Sequence, residues 1–431
     1  MTQPTHPVRR RTAAVAVLVL VGSGAAAVGP PADASTIGVG PDRVIAGGSS
    51  TPAMAIASDG TIYAAAGDIT VWSPTSEGRP VVVKTFTGTG TSGTPPALSP
   101  TAGLAYVDGS SAVQVLDPAQ ADGPAVPTRT ITGALTGIDD PSAVTWTPEG
   151  SLWVADEVVD GEPGIELLRF APGADGDVAP VQRIAGGRTR LETDAVLGGI
   201  VAVAGLPGDG VAAAPSGVDP RVSVFTRTQS GNVAPARRIQ VPTPTPHWLT
   251  QGVAADPQGR IYIGSGDLDG HAFGRLDVYG PTADGSDAPL VTLGGTRQRF
   301  QIPLVPTVAA NGRLALVDAT VISLGSSTQV VGRVEVFRPL FTKPGAPSAL
   351  VVTRGRTQVG FRWSAAANPA GTPLTYRVVV RKGARTVLSR TVPTTALSLR
   401  RSALPTGALR VTVTAVNIGG SGPGVTKAFR R

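Results

Sequence analysis

The chain has 431 residues, with 55 glycines, 39 prolines, 4% aromatic and 16% charged residues, and a formal net charge of +7. That length holds two or three domains with real cores, and the abundance of Gly and Pro between β-branched runs suits many short strands rather than long helices. Cysteine is absent, which excludes disulfides, Cys-ligated zinc, thiol nucleophiles and a lipid anchor on an N-terminal Cys.

The N-terminus reads as an export signal over residues 1–34. Arg9, Arg10 and Arg11 form a basic stretch, Thr12 to Val21 an apolar core, and Ala32-Asp33-Ala34 a small-residue cleavage site before Ser35. The alternative is an uncleaved anchor, but the apolar run is short for a membrane span and is broken by Gly22, Gly24, Gly29 and Pro30. The arginines fit either the general or the twin-arginine export route. A secreted or extracellular protein, cell-wall associated, is therefore expected, with no membrane span after cleavage.

From there a unit recurs: an apolar strand, a turn ending in Gly, then a second apolar strand. It reads Ala53–Ala57, Asp59-Gly60, Thr61–Ala65; then Ala143–Trp146, Glu149-Gly150, Ser151–Ala155. Further copies are Gly252–Ala255, Gln258-Gly259, Arg260–Ile263, and Thr307–Ala310, Asn311-Gly312, Arg313–Val317, with weaker ones around Gly103 and Gly210. Third strands follow at Ile69–Trp72, Val113–Leu116, Ile165–Phe170, Val222–Phe225, Arg275–Tyr279 and Gly332–Phe337. A polar segment and a fourth strand come next, clearest in Ala174–Gly186 and repeated in Gln229–Gln240 and Ala283–Gly294. The repeat length is that of a propeller blade.

These residues resemble the NHL-like six-bladed β-propellers of secreted bacterial proteins, over 35–343. The stretch Asp42–Gly48 matches a fourth strand without its unit, and the sixth unit ends near Pro339 without a fourth strand. The expectation is an all-β chain in which the N-terminal strand completes the last blade, so that neither sheet edge stays exposed.

After Lys343–Pro347, a short stiff linker, residues 344–431 resemble a fibronectin type III β-sandwich. Trp363 sits in its second strand, Tyr376 opens the third, and Leu409–Asn417 forms the sixth. The family's corner tyrosine is replaced by Leu409, so the hydrogen bond of that corner is expected to be missing. Charge divides sharply: 344–431 carries 14 Lys and Arg and no Asp or Glu, whereas 35–343 carries 20 against 29, a net −9. A basic arm adhering to anionic envelope polymers is one reading; docking on its own propeller and plain solubility are the others.

Catalytic patterns are sparse. Beyond the signal only His247 and His271 remain, neither with an i, i+4 partner, and no Gly-x-Ser-x-Gly elbow occurs. Asp267-Leu268-Asp269-Gly270 opens like a calcium loop but lacks the later acidic ligands, leaving Asp267 and Asp269 as weak metal candidates and no cofactor expected. Asp108, Asp156 and Asp318 recur at the ends of second strands, which favours a structural hydrogen-bonding role. Leu404-Pro405-Thr406-Gly407 is incomplete as a sorting signal and reads as a turn.

Ligand-binding candidates lie in loops between a fourth strand and the next first strand: Asp139 and Asp140; His247 and Trp248; Arg297, Arg299 and Phe300. Trp248 either stacks on a ligand or fills a blade interface, as Trp146 and Trp153 are expected to. The sequence thus points to a non-enzymatic binding or scaffold protein of the cell envelope, a monomer whose partner is a cell-wall polymer, glycan or extracellular protein. Nucleic acid is a poor partner for an exported chain without a basic–aromatic motif. The alternative is a propeller hydrolase or lyase acting on extracellular lactones or polysaccharide.

Overall fold

The computed structural model describes residues 39–46, 53–91, 94–99, 101–158, 164–191, 202–214, 221–245, 248–267, 273–294, 300, 302–324 and 327–431. The export segment, residues 1–34, lies outside them. The described residues are all-β, with short 3-10 turns at Gly187–Thr189 and Arg401–Ala403 and no α-helix. No helix among them is long and apolar enough to cross a membrane. The chain divides into two compact units, Asp42–Val336 and Phe337–Arg431 with the short stretch Ile37–Pro41.

In the first unit the described strands form six four-stranded sheets, a propeller-like arrangement. The third sheet is the clearest: Pro141–Trp146, Leu152–Val158, Gly164–Phe170 and Gln182–Ile184 pair antiparallel in chain order. Its first turn works because Gly150 accepts φ 89°, a value L-residues avoid; Gly60, Gly103, Gly259 and Gly312 do the same in their sheets. The fourth sheet departs from the expected pattern. Gly210 already belongs to the strand Gly210–Ala214, and the positive angles fall on Gly208 and Asp209.

Cores form between neighbouring sheets. Trp146 packs with Val113, Val115 and Phe170 between the second and third sheets, and its indole N–H donates to the Ala97 carbonyl at 3.2 Å. Trp153 packs with Val211, Ala213 and Phe225 between the third and fourth, donating to the Asp209 carbonyl at 3.2 Å. Gly205 sits so close to the third sheet that a Cβ there would stand 2.1 Å from the Trp146 carbonyl oxygen.

The strand Arg43–Ala46 pairs antiparallel with Ser327–Phe337, Arg43 opposite Val336 and Ala46 opposite Arg333. Its one buried side chain, Ile45, joins Met54, Ile56 and Ile62 of the first sheet and Val334 and Val336 of the last in a single cluster. The polar segments also cross sheet boundaries: isolated parallel bridges join Ile45 to Gly78, Ile131 to Gly176, Ile184 to Gly231 and Ile239 to Gly285.

The second unit has a three-stranded sheet, Ser348–Arg354, Gln358–Ser364 and Ala396–Arg400, and a four-stranded one, Arg385–Val392, Thr375–Lys382, Ala408–Asn417 and Gly420–Arg430. Alternating residues of both meet in one core around Phe361, Trp363, Tyr376, Val378 and Val413. Trp363 meets Tyr376 edge-on at 5.4 Å, and the Tyr376 hydroxyl accepts the Ala366 N–H at 3.2 Å. Leu409 is buried in the same core.

Candidate functional site

Of the nominated residues, Asp139 and Asp140 immediately precede the first strand of the third sheet, and Trp248 opens the first strand of the fifth. At the third sheet Asp139 and Asp140 are exposed, while Asp156, facing Pro141 in register, is buried. The Asp156 carboxylate accepts the Asp139 N–H at 3.1 and 3.2 Å and the Asp140 N–H at 2.9 Å. The Glu157 N–H donates to the Asp140 carbonyl at 2.9 Å. Asp156 therefore clamps the loop that presents the two exposed carboxylates.

Burial pushes the Asp156 carboxyl up to about 7, outweighing the two backbone N–H donors that favour the charged form; Glu166, opposite it in register, adds to the rise. Burial also raises Glu157, helped by the charge of Asp140. Glu166 is buried and accepts Arg183 Nε at 2.7 Å. A proton-labile carboxyl beneath a loop bearing two more is the part of this unit best suited to acid–base chemistry.

In the fifth sheet Trp248 opens the strand Trp248–Ala255 and is only 2% exposed. The Arg275 guanidinium lies over its ring at 5.1 Å, forming a cation–π contact. Arg275 Nε bonds Asp277 Oδ2 at 2.7 Å, and its second nitrogen donates to the Pro242 carbonyl at 2.5 Å. The Thr292 hydroxyl donates to Asp277 Oδ1 at 2.5 Å. Burial raises Asp277 despite these partners. Asp267, opposite Trp248 in register, is fully buried. In the sixth sheet Arg333 bridges Asp318 at 2.8 Å and Glu335 at 2.9 Å.

Trp248 is thus an internal residue, and Phe300 likewise has no exposure; its carbonyl accepts the Gly274 N–H at 2.9 Å. Among the described residues, Asp139 and Asp140 are the nominated ones with side chains at the surface. His247, Arg297, Arg299, Asp269 and His271 lie outside the described residues. Among the described residues no group of three or more His, Cys, Asp and Glu is placed to hold a metal ion.

Sequence reasoning missed Glu166, Arg275 and Arg333. Each stands on a third strand, facing the end of the second: Asp156 opposite Glu166, Ser265 opposite Arg275, and Arg333 on the Asp318 carboxylate. Superposing the third strands on their terminal aromatics, Phe170, Tyr279 and Phe337, places all three at the position four residues earlier, which is the signal that could have found them.

No protein-family profile matches the chain. No curated protein matches it either. Among solved structures it is similar to a protein provisionally described as a gluconolactonase, at 14% identity over 70% of this chain and 97% of that one, with a TM-score of 0.41. It is also similar to the extracellular domain of a provisionally described one-component system from B. thetaiotaomicron, at 9% identity over 88% and 55% of the two chains, TM-score 0.37. The FN1–FN3 domains of chicken CNTN1 match at 14% identity over 28% of this chain, TM-score 0.21. The matches cover 61% of the chicken CNTN1 chain and 63% of the rat CD45 extracellular d3–d4 chain, less than two thirds of either.

Proposed function

We propose that this chain is a secreted, non-enzymatic binding or scaffold protein of the bacterial cell envelope. In this reading residues 35–343 are a six-bladed propeller of NHL-like repeats closed by Arg43–Ala46, and 344–431 are a fibronectin type III module acting as a basic adhesive arm. Six four-stranded sheets, with Ile45 in a cluster of the first and last, support the propeller. Two sheets around Trp363 and Tyr376 support the sandwich.

The observation that carries the function is the placement of positive charge in the second unit. Arg381 lies directly opposite Arg410 on the neighbouring strand, and Lys382 opposite Arg385; all four are exposed. Like charges at facing positions cost stability, and 344–431 contains no Asp or Glu to offset them. An anionic ligand supplies the missing counter-charge, so the partner is an envelope polymer carrying phosphate or carboxylate groups. Applying the full chain to an array of anionic and neutral glycans tests this: retention on the anionic members is expected, and equal retention on neutral ones would overturn it.

The second reading, a hydrolase or lyase acting on extracellular lactones or polysaccharide, is favoured by Asp156, whose carboxyl titrates near neutrality beneath Asp139 and Asp140. Lactone opening followed by pH-stat, absent from D156N and present in wild type, would establish it.

A further inference from the structure

Two junctions of the first unit share one turn and differ in the side chains they carry. Between the second and third sheets, the turn after Arg129–Ile131 starts at Gly133 (φ 125°), is locked by the Thr136 hydroxyl on the Gly133 carbonyl at 2.7 Å, and ends at Gly137 (φ 67°). Between the third and fourth sheets the same turn starts at Gly186 (φ 105°), is locked by the Thr189 hydroxyl on the Gly186 carbonyl at 2.7 Å, and ends at Arg190 (φ 59°). The backbones correspond residue for residue, so differences in side chain reflect use rather than fold.

Those differences all point one way. Leu135 becomes Arg188, and Gly137 becomes Arg190, in a left-handed conformation that an L-residue adopts only under strain. The acid braced against the turn, Asp177, which accepts the Leu135 N–H at 2.7 Å, becomes Asn232, which accepts the Arg188 N–H at 2.8 Å. The acid before the bridging glycine, Asp175 in the third sheet and Asp284 in the fifth, becomes Ser230. Two cations enter and two carboxylates leave, in a unit that is otherwise net acidic.

Arg188, Arg190 and Arg238, with Ala234 and Pro235, line one open cavity of about 230 Å³. We infer that this cavity is a binding site for a phosphate monoester of a small polyol or sugar. Guanidinium forks match phosphate oxygens, and several around one dianion suit phosphate better than a singly charged carboxylate. The volume exceeds a bare phosphate, and Ala234 with Pro235 gives the ester's carbon skeleton an apolar wall. The strained Arg190 fits a residue kept for a ligand rather than for the turn. The inference lies wholly within Asp42–Val336 and does not depend on the adhesive role proposed for 344–431.

The test is isothermal titration of the full chain with glucose 6-phosphate, inorganic phosphate and glucuronate at physiological salt. One site is expected, with glucuronate at least tenfold weaker than the ester. Three variants borrow the sister turn's residues: R188L, R190G and N232D. Each is expected to weaken the ester at least tenfold, while R190G melts no lower than wild type because glycine relieves the left-handed strain. R377Q/R381Q, which removes twice the charge of any single turn variant but from the second unit, is expected to bind the ester as wild type does. Unchanged affinity in the three turn variants, equal losses in R377Q/R381Q, or glucuronate binding as tightly as the ester would each overturn the inference. Inorganic phosphate binding as tightly as the ester would overturn the ester assignment and leave a free-ion site.

Discussion

The proposed closure of the first unit by its N-terminal strand turns on one side chain, and Ile45→Ala tests it. Ile45 has no exposed surface and touches both the first and the last sheet, whereas Val44, beside it on the same strand, is 39% exposed. Truncating a fully buried isoleucine to alanine costs about 2–5 kcal/mol through lost transfer energy and the cavity left behind. For a unit of this size that corresponds to a melting point lower by roughly 3–8 °C, since unfolding entropy grows with chain length. Val44→Ala, on the exposed face, is expected to cost less than about 0.5 kcal/mol. Thermal unfolding followed by circular dichroism, with both variants at one protein concentration, reads the contrast directly. If Ile45→Ala melts with Val44→Ala and wild type, the strand does not seal the first and last sheets together, and the closed ring is refuted.

Asp156 predicts a pH dependence. Its carboxyl is raised from 3.8 to about 7 on folding, so between those values the folded state holds a proton that the unfolded state has released. Stability from this group is therefore present at low pH and lost as pH rises toward about 7. The difference between wild type and D156N in urea midpoints at pH 4.5 and 8 measures it; a difference that does not change with pH refutes the burial argument. Gly205→Ala forces a Cβ onto the Trp146 carbonyl and is expected to destabilise the first unit by about 1–3 kcal/mol; an unchanged melting point would show that the third and fourth sheets pack more loosely. Trp363→Ala is expected to cost the second unit about 3–5 kcal/mol, read by loss of its unfolding transition in calorimetry.

Much of the architecture was legible because propeller-like sheets are built from local rules. Turn glycines at 60, 150, 259 and 312 carry the positive φ that fixes each hairpin, and the expected third strands lie within observed strands, with Ile69–Trp72 continuous with the second strand in Ile62–Trp72. The N-terminal strand was visible as a fourth strand lacking its unit, and it pairs antiparallel with Ser327–Phe337, the edge the sixth unit leaves without a fourth strand. Asp156 was expected to act structurally, and it does accept two loop N–H groups. What stayed hidden depends on contacts between distant residues. The polar segments pattern as loops, yet Gly176, Gly231 and Gly285 each bridge the neighbouring sheet. The Pro-rich loop before Trp248 leaves ligand stacking and a buried role equally open in sequence, and only the Arg275 guanidinium over its ring, from the third strand of the same sheet, decides for the buried one. In the fourth sheet the turn moved onto Gly208 and Asp209, which no spacing rule separates from Gly210.

The most direct test of the adhesive role is co-sedimentation of the full chain with purified bacterial cell walls across a salt series, beside R377Q/R381Q/R410Q. All three arginines are exposed on one four-stranded sheet, so the variant changes charge and leaves the core intact. Retention of wild type at low salt, falling as salt screens the attraction, and at least severalfold weaker retention of the variant are the predicted results. Equal retention of both proteins at low salt would contradict the basic-arm account.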